Sequence, residues 1–164
     1  MRTAIIAMMV ILLAGSALAY GVLVGPFESR EQLLPAAHDP AFYNALGYHL
    51  AQDGKPTEAQ AAFAHAVGLK PDYENARSNL ATTAFSNGDY TTAIAQLRWL
   101  VENYPGNENY KFDLAQNLVS RARYKDADLA KLEEGAVLYE SLGDFPNARE
   151  NAAIVRNVIA DVTA

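Results

Sequence analysis

Residues 43–71 read YNALGYHLAQDGKPTEAQAAFAHAVGLKP. Tyr43, Leu46 and Leu50 stand three and four residues apart, and Ala59, Phe63 and Ala66 do the same beyond DGKP. Each set lines one face of a helix, so the stretch reads as two apolar-faced helices joined by a turn. The pattern then returns. Leu46 recurs as Leu80 and Leu114, Ala59 as Ala93 and Ala127, and Pro71 as Pro105, each after 34 residues. A fixed period of that length marks a supersecondary unit that buries its apolar face by stacking on its neighbours.

The residues carried by this period resemble the tetratricopeptide repeat. In the first copy Tyr43 holds the aromatic position and Leu46-Gly47 follows, with Leu50 where a tyrosine is usual; Ala59, Phe63, Ala66 and Pro71 are in register. The second copy has Arg77, Leu80-Ala81, Ala84, Ala93, Leu97, Leu100 and Pro105, departing at the aromatic, glycine and phenylalanine positions. The resemblance implies an all-α, right-handed α-solenoid of helix-turn-helix units over residues 40–162, with repeats at 40–73, 74–107 and 108–141. Gly47 and Ala81 are expected where the first helix of a unit crosses the second, with Ala59 and Ala93 opposite. Phe63 and Leu97 are expected to fill the space between successive units. Pro71 and Pro105 stop their helices, because proline lacks a donor and clashes with the preceding turn.

The third copy keeps Leu114-Ala115, Tyr124 and Ala127 and then deviates. Lys131 stands where an apolar residue belongs and Tyr139 where proline belongs. A helix opening near Asp126 is free to run to Ser141, where Gly143 ends it. The turn GDFPNA at 143–148 repeats GDYTTA at 88–93, yet two periods from Gly88 reach position 156, so Gly143 arrives 13 residues early. The helix before it is therefore expected to close the third pair and also to pack on a capping helix at 146–162. Pro146 in its first turn and Ala148, Ala152, Ile154, Val155, Val158 and Ile159 on its apolar face support that helix. The expected count is about seven helices, besides an N-terminal apolar leader helix.

That leader begins with Arg2, continues through an apolar run from Ala4 to Ala14, and reaches Ala17-Leu18-Ala19. It reads as a signal peptide, residues 1–19, cleaved before Tyr20. An uncleaved membrane anchor over 3–27 is the alternative, since no charge intervenes between Arg2 and Glu28 and a span needs roughly 20 residues. Either way the remainder is expected in the periplasm or cell envelope. Pro26, Pro35 and Pro40 make 25–39 a linker.

Composition narrows the function classes. The chain has 164 residues, 51% of them hydrophobic, enough for a real core. A net charge of −6 disfavours nucleic acid, which needs a clustered basic face. The absence of cysteine removes thiolate chemistry and disulfides. No phosphate loop, nucleophile elbow or dinucleotide fingerprint occurs. His38, His49 and His65 lack a third ligand at metal-binding spacing, and Glu133-Glu134 reads as a solvated face. No catalytic residue, metal or cofactor is expected.

The resemblance implies a non-enzymatic scaffold that binds a protein or peptide in a concave groove lined by the first helix of each unit. The groove positions in this sequence are Asn44, Tyr48, Asn75, Asn79, Thr82, Phe85, Asn109, Phe112 and Gln116. Asparagine offers both a donor and an acceptor and so grips a peptide backbone without reading its side chains. Some relatives hold a terminal carboxylate with lysine, asparagine and arginine. Here only Asn79 matches, and Asn44, Asn109 and Asp113 occupy the basic positions, so that clamp is missing. Assembly of an envelope complex is one role consistent with these readings. Self-association through Trp99 is a second, and a hydrolase or metal protein is a third that lacks a site.

Overall fold

The computed structural model describes residues 38–126 and 128–164. The expected leader, residues 25–37 of the expected linker, and Ala127 lie outside the described residues. Among the described residues there are seven α-helices and no strand. The fold is all-α, built of consecutively paired helices as in a tetratricopeptide solenoid. The chain divides into two compact units at Asn79 and Leu80.

The first unit holds α1 (Pro40–Gln52), α2 (Pro56–Leu69) and the start of α3 (Glu74–Ser86). The Asp39 carboxylate caps α1 by accepting from Ala41 N at 2.8 Å, and Pro40 supplies a first residue that needs no donor. Tyr43, Leu46 and Leu50 of α1 bury against Ala59, Phe63 and Ala66 of α2. Gly47 is the point of closest approach. A Cβ there would lie 2.7 Å from two atoms of the Phe63 ring, so Phe63 packs within its own pair. Pro71 is exposed after the end of α2, and its carbonyl accepts from Arg77 Nε at 2.6 Å, tying the connection to α3.

The turns inside the first two pairs are built alike. Lys55 N donates to Leu50 O at 2.9 Å across Gly54, and Asp89 N donates to Ala84 O at 2.8 Å across Gly88. Both glycines are left-handed, at φ 72° and 71°, as this helix-ending motif requires.

The second unit holds the rest of α3, then α4 (Tyr90–Asn103), α5 (Glu108–Arg121), α6 (Leu129–Ser141) and α7 (Ala148–Thr163). Ala81, Leu97, Leu100, Leu114 and Leu118 form one core. Ala115, Leu132, Ala136, Tyr139, Ala152 and Val155 form another. Leu80 and Ala93 are buried as well, and Pro105 is exposed after α4. α6 packs against both α5 and α7, the double contact inferred from the early arrival of Gly143.

Its boundaries differ from those expected. One period beyond Gly88 stands Ala122, which is buried and right-handed at φ −60°. Without a residue suited to the left-handed turn, the chain runs on through a five-residue π-helical segment, Ala122–Asp126. α6 therefore opens at Leu129 rather than near Asp126, capped by the Asp128 carboxylate, which accepts from Lys131 N at 3.3 Å. The caps of α2, α4 and α6 are Lys55, Asp89 and Asp128, so the second interval between them is five residues longer than the first. That shift explains the two anomalous residues. Lys131 pairs with the capping Asp128 through its ammonium, and Tyr139 comes to a buried position in the core. The close approach of α5 and α6 falls at Gly135, where a Cβ would meet Val119 Cγ2 at 2.7 Å and the Ala115 carbonyl at 3.2 Å.

The last turn also departs from its sequence twin. Asp89 caps α4 by accepting from Thr92 N at 3.1 Å, whereas Asp144 pairs with Arg149 at 2.5 Å. α7 begins at Ala148, past Pro146, after a left-handed Asn147 at φ 63°. Ala148, Ala152 and Val155 face the core, while Ile154 is exposed. A two-point contact, Arg156 Nε and Nη2 to the Glu140 carboxylate at 2.7 and 2.9 Å, fixes α7 on α6.

Candidate functional site

Of the nine groove positions, Asn44, Tyr48, Asn75 and Asn79 belong to the first unit. Asn79 Nδ2 donates to Asn44 Oδ1 at 2.9 Å, joining α3 to α1 through their amides. Asn44 and Asn79 are half-buried, and Asn75 is exposed. Tyr48 stands on α1 with 54% of its surface exposed and its ring edge-on to His49. A partly buried amide pair beside an exposed phenol offers hydrogen-bonding and apolar contact on one short surface.

The other five positions divide. Thr82 and Gln116 are exposed and Phe85 is half-buried, and all three line one pocket of about 100 Å³ in the second unit. Ala81 and Leu97 contribute to its lining, along with Asp113 and Asn117 from α5. Asn109 is exposed at the start of α5, where its backbone N–H donates to Asn107 Oδ1 at 3.1 Å. Phe112 is absorbed by packing. Its ring lies 5.2 Å from Tyr139 and 5.2 Å from Phe145, against the core around Ala136.

Asn117 is the residue that motif reading missed. It is 3% exposed, and its Nδ2 donates to the Asp113 carbonyl at 2.9 Å. Its Oδ1 is buried and accepts from no group of the described residues. A buried polar atom left unpaired costs free energy, which makes such an atom worth explaining. The available signal was its spacing: Asn117 follows Leu114 by three residues and precedes Leu118, placing an amide on the core-facing stripe of α5.

Asp113 stands in the sequence at a basic clamp position and on the groove-facing side of the third unit's first helix. In the fold its carboxyl is held above the ordinary carboxylate range by burial, and no cation of the described residues pairs with it. Burial pushes the Tyr139 phenol up to about 12, a hydrogen bond with Asn151 opposes that rise, and the Asp113 charge adds to it. The pocket lining therefore brings together an aspartate without a cationic partner among the described residues, an asparagine with an unpaired amide oxygen, and Phe85.

The remaining candidates fall elsewhere. Tyr43 covers His65 at 4.1 Å between ring centroids, and His49 lies against Tyr48. No group of three or more metal-ligating side chains occurs among the described residues. Trp99 is half-buried and edge-on to Tyr104 at 6.2 Å, packed on the core around Leu100. No helix among the described residues is long and apolar enough to cross a membrane.

Comparison with known proteins agrees with this architecture. The peroxisomal targeting signal receptor of Saccharomyces cerevisiae is 33% identical over 85 residues, which are 52% of this chain and 14% of that protein. The chain thus spans about a seventh of the relative it matches. The family description "tetratricopeptide repeat" matches residues 44–108 and 78–136, together more than half of the chain. On that match and on the paired helices, the chain belongs to the tetratricopeptide repeat family.

Proposed function

We propose that the chain is a non-enzymatic adaptor that binds a peptide or protein segment through its tetratricopeptide helices. The observation that carries this reading is the pocket of the second unit, lined by exposed Thr82 and Gln116 together with Asn117, whose amide oxygen is unpaired. An extended segment supplies backbone donors and acceptors at regular spacing, which is what such polar groups take up. The exposed Tyr48 beside the Asn44–Asn79 amide pair gives the first unit a second contact surface of the same character. The yeast relative is by name a receptor for a targeting signal, which supports recognition of a protein segment as the shared task. The apolar leader supports export, either as a free domain beginning at Tyr20 or as one held at a membrane by residues 3–27, with assembly of an envelope complex as the setting.

Capture from its own cell envelope tests this reading. The wild-type chain is expected to retain a defined partner, and a Thr82→Ala, Gln116→Ala double variant to retain several-fold less. Equal retention by both chains would remove the pocket surface from the binding function. Intact mass of membrane and soluble fractions tests the location, since a soluble species starting at Tyr20 excludes the anchor.

A further inference from the structure

We propose that the pocket of the second unit takes the side chain of a lysine from the bound segment, with Asp113 and Asn117 as its acceptors. This rests on the adaptor reading and adds the chemistry of the residue recognised. Asp113 carries negative charge into a partly desolvated site and has no cationic partner among the described residues. Asn117 lines the same pocket, and its buried amide oxygen has no donor among the described residues. Both atoms call for a donor, and the carboxylate calls for a cation. An ammonium group offers three donors and no acceptor, so it satisfies both without leaving an unpaired acceptor of its own. The Phe85 ring lines the same pocket and provides a face for a methylene stem or for the charge itself.

Donor geometry selects among cations. An ammonium is a compact point charge with three rotatable donors, so it can serve acceptors on two separate side chains, whereas a guanidinium holds its donors in a fixed planar fork that matches a single carboxylate.

The binding probe is Nα-acetyl-lysine N-methylamide, titrated into the 15N-labelled full chain and followed by NMR. The comparators are the norleucine and arginine analogues of the same compound. The side-chain amide signals of Asn117 and Gln116 are expected to shift saturably with the lysine compound, about tenfold more tightly than with norleucine, as a charged hydrogen bond implies. D113N is expected to abolish that preference, and N117L to weaken lysine binding while leaving the thermal transition cooperative. Equal binding of lysine and norleucine, tighter binding of arginine, or an unchanged preference in D113N each overturns the proposal. Selection of random displayed peptides on the same chain separates the two readings. Enriched peptides without a lysine preference defeat the pocket assignment and leave the adaptor standing. A lysine-selective NMR response with no enriched peptide defeats the adaptor reading and leaves the pocket assignment standing.

Discussion

A Cβ on Gly47 would lie 2.7 Å from the Phe63 ring, and that ring, 2% exposed, has no solvent to swing into. Gly47→Ala is therefore expected to destabilise the chain. Overpacking costs roughly 1–3 kcal/mol, against which alanine's helix preference recovers about 1 kcal/mol. The check is chemical denaturation of G47A beside G47A/F63L, in which the smaller leucine side chain should restore most of the loss. Asp113 behaves in the opposite sense. Its folded-state pKa lies above the unfolded value through burial, so ionisation works against folding once pH rises past the ordinary aspartate range near about 3.9. D113N should accordingly melt higher than wild type at neutral pH. The two curves should converge below that range, where both chains are neutral at this position.

At the scale of the element, helix ends decide where each unit begins. Asp89 satisfies a free N–H of α4 and stands directly after the left-handed Gly88. Asp89→Ala is expected to cost about 1 kcal/mol, read as a shift in the denaturation midpoint with an unchanged slope. The last helix is held differently. Hydrogen bonds from Arg156 lower the Glu140 carboxyl below its ordinary value. The favourable contribution is therefore present above the unfolded glutamate range, near about 4.3, and is lost as pH falls through the lower folded value. R156Q should remove that acid-side dependence, and high salt should blunt it in wild type because the pair is exposed. Thermal melts across an acid pH series, with and without salt, measure both effects. The five-residue π-helical segment belongs to this scale too, since it moves every residue of α6 relative to the 34-residue rhythm.

At the scale of the whole molecule, two surfaces carry the proposed binding, each within its own unit. Substituting Tyr48 and Asn79 by alanine tests the first and is expected to reduce partner capture several-fold, with retained helicity by circular dichroism as the folding control. The repeat class, the helices and their close-packed positions were legible from residue types at a fixed period. Leu46, Ala59, Leu80, Ala93 and Leu114 are all buried. Their burial follows from helical spacing alone, because local geometry puts them on one face. Gly54 and Gly88, one period apart, are legible on the same ground. The site was legible only in part. Thr82, Phe85 and Gln116 line one pocket, whereas Phe112 is drawn into the core by Tyr139 and Phe145. A sequence period says which face of a helix a ring occupies, not which distant ring will cover it. What this sequence determined by itself is therefore the all-α repeat, since helix faces and turns are set by neighbours three or four residues away. The tertiary structure alone decided the offset of α6, the crossing at Gly135 and the placing of Phe85 and Leu97 beside Asp113 and Asn117 to make one pocket. Those features depend on burial and on contacts between helices, which no local pattern encodes.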